Sequence, residues 1–336
     1  MNAGARFGIP FSLKLLLGLL LFAGMFVVAM TTGAVDVSFR DVWLAAATQA
    51  DGDKPLMIRE IRLPRELAAV FVGAALAVSG AIMQGMTRNP LADPGLLGVT
   101  AGANAALAAT MAFLPATSYY GITIACFVGA AAGAALVFGI GTMRRGGFSP
   151  IRIVLAGAAV SSFLYAVAEG VGLYFKISKD VSMWTAGGII GTTWSQLQLI
   201  GPLIGCGLIG ALLLSRQLTV LSLSEEVAAG LGQRILFVKT ALLGIVVLLA
   251  GASVALVGSL AFLGLIVPHV VRAVVGTDYR YILPMSAVGG AALMLLADTI
   301  ARTVNAPYET PVAAVIAMMG IPFFLAIVHR GGRTSS

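Results

Sequence analysis

Charge is what this sequence has least of. Asp, Glu, Lys and Arg make up only 10% of its 336 residues, against about 25% in an ordinary soluble domain. The mean hydropathy of +0.99 excludes a water-exposed globule and leaves an integral membrane protein. The two cysteines, Cys126 and Cys206, both lie inside apolar runs, so neither a disulfide framework nor a metal site is indicated. His269 and His329 have no Cys or Glu at ligand spacing. With the only histidines in spans, no Ser/His/Asp set is credible either, and no catalytic residue is assigned. The chain has no Gly-Lys dipeptide, hence no G-x-x-x-x-G-K-[ST] phosphate loop, and nothing in it can hydrolyse a nucleotide. It also has no soluble domain, linker or low-complexity tract. The net charge of +7 needs no nucleic acid to account for it.

What is present is a succession of apolar runs of about 20 residues or longer, the length of helical spans rather than of alternating barrel strands. The 41 glycines, with abundant alanine, suit helices whose backbones approach closely. The first run, Leu13–Thr32, is too long for a signal-peptide core and is read as a true span. The pattern predicts one all-α membrane domain with ten spans, at about 13–34, 64–86, 95–114, 119–143, 151–174, 192–214, 236–257, 260–275, 281–303 and 311–329. The eighth is short and interrupted by Pro268-His269. An even count puts both termini on one side. Placing them inside gathers Arg6, Lys14, Arg88, Arg144, Arg145, Arg152, Arg216, Arg234, Lys239, Arg272, Arg280, Arg330 and Arg333 there with only four acids, Asp93, Glu225, Glu226 and Asp278. Eight basic residues and ten acids are left outside. That satisfies the positive-inside rule, with cytoplasmic termini. Two outer segments are long enough to have structure. Val35–Ile61 reads as a short interfacial helix followed by a turn at Asp51-Gly52-Asp53, and Phe175–Gly191 is broken at Gly187-Gly188.

The charged stretch Arg216–Lys239 stands between two long apolar runs and falls on the cytoplasmic side. Ser222 and Glu225 read as an S-x-x-E capping box, Glu225 and Glu226 suit the positive helix end, and Gly230 and Gly232 supply the stop. The result is about two turns with Leu223, Val227 and Leu231 on one face and Ala228 and Ala229 beside them. Such a helix fits a groove on a partner protein, the alternative being a helix lying on lipid. Lipid-bound helices usually carry Lys or Arg on the polar face, whereas this one begins with two acids.

Two further stretches are irregular: Gln84–Gly95, with Pro90, Pro94 and Gly95, and Gly264–His269, with Pro268. Broken backbone at membrane depth is tolerated only beside protein or a water-filled cavity, so both point to a translocation path. Among intramembrane charges, Glu169 lies near an outer span end and Asp298 has Arg302 one turn later. His269 reads as a packed, hydrogen-bonded residue at a helix break. The pairs Gly80…Arg88 and Gly264…Arg272 hint at an internal repeat.

Arg62-Leu63-Pro64-Arg65, Asn89–Gly98, Glu225-Glu226-Val227-Ala228 with Leu231-Gly232, Gly264–His269 with Arg272, and Leu296-Ala297-Asp298 with Arg302 resemble the FecCD family from about residue 13 to 330. These are permease subunits of ABC importers for ferric siderophores, haem and cobalamin. The resemblance implies a ten-helix type II importer permease that dimerises, as a homodimer or a related heterodimer, around a central pathway. It implies two cytoplasmic ABC ATPases, which carry the ATP-Mg, and an extracytoplasmic substrate-binding protein. No cofactor or metal is implied on this chain. Ser222–Gly232 resembles the coupling helix that docks in the ATPase, with Ser224 where relatives commonly have glycine. Arg62, Arg65 and Arg302 match outward-facing arginines that pair with the binding protein, interfacial anchoring being their rival role. Asn89 and Leu91 match the cytoplasmic gate, and the path is expected to run past Pro94, Gly95, Pro268 and His269.

The function expected is permeation of an iron–siderophore complex through the cytoplasmic membrane, with haem or cobalamin as the alternative cargo. A proton-coupled secondary carrier needs several buried acids in sequence, which are absent. A purely structural subunit does not need two broken helices at depth.

Overall fold

The computed structural model describes residues 9–33, 37–47, 52–142, 150–186, 188–189, 191–306 and 308–332. Arg6, Asp36, Asp51, Arg144, Arg145, Gly187 and Arg333 of the sequence reading lie outside these. The described residues are helical throughout, without strands. In order they form α1 (Phe11–Thr31), α2 (Phe39–Ala47), α3 (Asp53–Met57), α4 (Leu63–Thr87), α5 (Val99–Phe113), α6 (Tyr119–Thr142), α7 (Pro150–Tyr174) and α8 (Ser178–Thr185). Then follow α9 (Trp194–Leu213), α10 (Ser215–Leu223), α11 (Glu225–Gly230), α12 (Ile235–Val257), α13 (Leu263–Val275), α14 (Tyr279–Thr303) and α15 (Val312–Gly332). Seven helices are long and apolar enough to cross a membrane, and Val99–Phe113, Leu263–Val275 and Val312–Leu325 are shorter apolar ones. Together they occupy the ten expected places.

The bundle is built around α4, which packs on α9, α12, α13 and α14. Its most apolar stretch is 83% buried, against 11% for α1 at the periphery. Small residues make this possible. A Cβ placed on Gly73 would lie 2.3 Å from the Gly290 carbonyl oxygen of α14, and one on Gly80 would lie 1.9 Å from that of Gly264 in α13. With backbone against backbone, dispersion replaces the hydrophobic drive that lipid does not supply.

Gly52 (φ 142°) bends the chain within the expected turn, but Asp53 already opens a helix. Helix α3 continues through a π-helical turn, Ile58–Arg62, into α4. The expected interfacial helix is α2, and α8 occupies the second outer segment. The break assigned to Pro268-His269 is also corrected. Helix α13 runs unbroken through Pro268, because its position early in the helix leaves only one turn of carbonyls to disturb. The chain breaks earlier, between Gly258 and Phe262, where both residues are left-handed (φ 75° and 67°). Phe262 is held there with its side chain lying over Gly320 of α15.

Adding one methyl group at the α4–α13 crossing tests this architecture. Gly80→Ala must push two backbones apart, since the facing atom is a carbonyl that cannot turn away. It should destabilise the detergent-solubilised protein by about 1–3 kcal/mol, as overpacking does. Gly24→Ala on α1, with nothing within 4 Å of the new methyl, should leave the melting temperature unchanged.

Candidate functional site

The two irregular stretches meet. Asn89 accepts from the Leu91 N–H through its side chain (2.9 Å), and Asp93 caps the short 3-10 turn Pro94–Leu97 by accepting from Gly95 N (2.7 Å). Gly98 (φ 74°) then redirects the chain into α5. Gly264 faces Pro94 and the Leu76 carbonyl closely enough that its Cβ would lie 3.4 and 2.9 Å away. Gln84 donates to the Gly264 carbonyl (3.2 Å) and accepts from Arg272. The matched Gly80…Arg88 and Gly264…Arg272 spacings therefore describe two segments in direct contact. Between them lies a cavity of only about 20 Å³, lined by Asp93, Pro94, Gly95, Ala250, Val254 and Gly264 among others. Burial pushes the Asp93 carboxyl up, with the Gly95 N–H acting against it. His269 does not join this junction. Its ring packs edge-on against Phe323 at 5.5 Å.

At one end of the bundle α10 and α11 fold beneath α4, α12 and α14. Asp278 accepts from Thr219 (3.0 Å), whose hydroxyl in turn accepts from Tyr279 N (3.0 Å), tying α10 to α14. The Arg280 guanidinium beside Asp278 holds that carboxyl below the usual range. The predicted capping box is corrected. Ser222 is still helical and donates to the Thr219 carbonyl (2.7 Å) within α10. Ser224, in extended backbone, is the residue that caps α11 by accepting from Val227 N (3.0 Å). Helix α11 ends at Gly230, and Gly232 turns left-handed (φ 77°) as the stop requires.

Leu223, Val227 and Leu231 point outward, 66%, 45% and 69% exposed. Ala228 is fully buried against the bundle, so it seats the helix and does not belong to the outward face. Glu226 is exposed, whereas Glu225 pairs with Lys239 of α12 at 2.8 Å and lies 3.8 Å from Arg88. A cavity of about 400 Å³ opens beside α10, lined by Gln84, Arg88, Ser222, Arg272 and Tyr279 among others.

At the opposite end the three predicted arginines gather, but not as exposed charges. Arg62, Arg65 and Arg302 are 6%, 9% and 6% exposed. Arg65 grips Asp298 with two nitrogens (2.9–3.2 Å) and Glu309 with a third (2.8 Å). Arg302 pairs with Glu66 (2.7 Å) and reaches Asp298 (3.0 Å), the i,i+4 pair expected. Arg62 donates to the Met30 carbonyl (2.8 Å), and Arg302 donates to those of Ala29 (3.1 Å) and Thr32 (3.3 Å). These are the last carbonyls of α1, where a helix dipole favours cations. Three acids that sequence reading did not group, Glu66, Asp298 and Glu309, thus turn the arginines inward. The signal was faint: Glu66 sits next to Arg65 in an otherwise apolar run. Two cavities of about 440 and 450 Å³ flank α8, one lined by Tyr119, Met183 and Trp184, the other by Tyr165 and exposed Glu169.

Ten apolar helices, two short ones opening at a shared buried junction and a capped helix outside one end, define a multi-pass membrane permease. The chain belongs to the FecCD transport family, whose profile matches residues 19–330. It is 46% identical over 315 residues to the iron(3+)-hydroxamate import system permease protein FhuB of Bacillus subtilis, covering 94% of this chain and 82% of that one. It is 43% identical over 311 residues to the Fe(3+)-citrate import system permease protein YfmD of the same organism, covering 90% of each. The hemin transport system permease protein HmuU of Yersinia pestis is 40% identical over 327 residues, with 94% of this chain and 96% of that one covered. Among solved structures, an inward-facing metal-chelate type ABC transporter matches with a TM-score of 0.84 at 28% identity, over 94% of this chain and 99% of that one.

Removing the shared acid tests the buried cluster. Asp298→Asn leaves Arg65 and Arg302 short of a counter-charge and should cost about 3–5 kcal/mol of stability. The loss, read as thermal unfolding in detergent, should be the same at 0.1 and 1 M salt, since salt screens exposed pairs and not buried ones.

Proposed function

We propose that this chain is the permease subunit of an ATP-driven importer that carries an iron–siderophore complex across the cytoplasmic membrane, with both termini cytoplasmic. The observation that carries the reading is α11. A capped helix, seated on the bundle through Ala228, turns an apolar ridge of Leu223, Val227 and Leu231 away from it. An exposed apolar ridge at the basic end of a membrane protein suits a groove on a cytoplasmic partner, and the partner is a pair of ABC ATPases that bind the ATP-Mg. Ser222, Ser224, Glu225, Glu226, Ala228, Gly230 and Gly232 shape and hold that helix. A second permease, identical or related, completes the path past Asn89, Leu91, Pro94, Gly95, Pro268 and His269. Energy comes from the partner, and the chain itself catalyses nothing.

The arginine end is taken to face an extracytoplasmic binding protein. Of the three expected contacts, Arg62, Arg65 and Arg302, it is Arg65 that comes within its reach where its partner, exposed Glu309, gives way. Iron–hydroxamate and iron–citrate permeases among the relatives support a siderophore cargo, and the hemin permease supports haem as the second reading.

Reconstitution with an ATPase and a binding protein separates these ideas. Uptake of labelled iron–siderophore should follow ATP alone, ignore a proton gradient, and stop when the ATPase loses its catalytic carboxylate. Gradient-driven uptake without ATP, lost in His269→Gln, would establish a proton carrier instead. Leu223→Asp with Leu231→Asp should abolish co-purification of the ATPase while leaving the permease folded. Retained co-purification rules out α11 as the contact.

A further inference from the structure

Lys239 carries the largest of the fully buried side chains, 2% exposed on a helix that is itself mostly enclosed. A buried ammonium needs a counter-charge, and this one finds Glu225 Oε1 at 2.8 Å, in the first turn of α11. The same oxygen stands 3.8 Å from the guanidinium of Arg88. Arg88 is the left-handed residue (φ 53°) that closes α4, and the next residue, Asn89, opens the loop to Gly95. One carboxylate on a six-residue surface helix therefore touches two separate elements of the bundle.

Those two elements converge again deeper in the molecule. The loop that Arg88 begins and the helix that bears Lys239 line the same small cavity. Asp93, Pro94 and Gly95 come from the loop, and Ala250 and Val254 come from α12. Lys239 and Val254 are on one unbroken helix, so a displacement of its foot is carried to the cavity with little loss. Arg88 is separated from Asp93 by a short segment braced by the Asn89 side-chain turn and the Asp93 cap. Glu226, the other acid of the first turn, is exposed and makes neither connection.

We infer that Glu225 is the positioning residue that ties the docking helix to both walls of the closed path, to α12 through Lys239 and to the Asn89–Gly95 loop through Arg88. This rests on α11 being the ATPase contact. On that basis, movement imposed on α11 draws both walls together or apart, and without the tether α11 moves alone.

Deleting Glu225 by itself takes a carboxylate away from a buried ammonium, so the informative variant removes both partners. Glu225→Gln with Lys239→Met leaves no buried ion, and such paired replacements are commonly neutral for stability. In vesicles with an ATPase and a binding protein, the double variant should melt as the wild type does, and its uptake is read against the ATP hydrolysed by the complexes that form. Uptake per ATP hydrolysed should fall about tenfold, within the range of ordinary coupling energies. Arg88→Gln, at a half-exposed side chain whose loss cannot strand a buried group, should lower the same ratio by a smaller factor. A merely structural role moves stability and leaves that ratio alone. An unchanged ratio in both variants overturns the tether. Loss of ATPase co-purification in the double variant overturns it too, since the pair would then seat the helix for docking and transmit nothing. If the wild-type chain captures no ATPase, the docking reading falls first and the tether falls with it.

Discussion

The contact of α4 with α13 and α14 at backbone distance is the constraint from which the other features follow. Gly73 against Gly290 and Gly80 against Gly264 bring three helices closer than any side chain permits. Helix α4 is thereby enclosed, and its polar groups must look for partners inside the protein, which most of them find and Glu66 Oε2 does not. Gln84 bonds to the Gly264 carbonyl and to Arg272, and Ser79 donates to the Leu76 carbonyl (3.0 Å) of its own helix. Arg65 and Glu66 find charged partners on α14. The glycines bring the helices together, and the polar residues then fix their register.

The ion cluster shows the same economy. Three guanidiniums face three carboxylates and the carbonyl end of α1, so the group is neutral overall and rich in hydrogen bonds. Buried charges are tolerated only under such pairing. Helix α1 packs one face on α14, with Gly18 close to Met285 and Phe22, Met25 and Phe26 against the core, and Arg62 and Arg302 bond to its carbonyls at one end. At its other end Lys14 donates to the Val274 carbonyl (2.7 Å). A peripheral helix is thus packed along one face and pinned at both ends.

Much of this was legible in the sequence, for identifiable reasons. Span positions follow from hydropathy alone, which lipid enforces residue by residue. The stop at Gly232 was readable because left-handed backbone selects glycine. The cap was displaced by two residues, from Ser222 to Ser224, because both serines precede acids and only the structure shows where α10 ends. The arginines were readable as a set but not in direction. Their partners Glu66 and Glu309 are far from Asp298 in sequence, and no local pattern joins them. Lys239 was visible only as one more basic residue on the inner side. Its burial depends on how α11 folds back. The Gly258–Phe262 break was masked by Pro268, a stronger signal in sequence that the helix absorbs.

The two ends of α4 are held in different ways, and the difference bears on where the bundle can move. At the arginine end, Arg65 makes a bidentate grip on Asp298, Arg302 adds contacts to Glu66 and Asp298, and almost all of it is shielded from water. Rearranging it means exposing or unpairing several charges at once, a cost of several kcal/mol each. At the α11 end one half-exposed carboxylate makes one close contact and one long one. Water can replace the longer contact, to the half-exposed Arg88, at small cost. Beside that end lies one interruption in the helices, Arg88–Gly98, and a second, Gly258–Phe262, lies at the far end of α12, both with left-handed residues where the chain turns. Rotation about a few such residues shifts whole helices without breaking their internal hydrogen bonds. Helix α4 therefore acts as a post anchored at the arginine end. The elements free to move relative to it are the loop after Arg88, α12 and the start of α13, which together close the small cavity around Pro94 and Gly264.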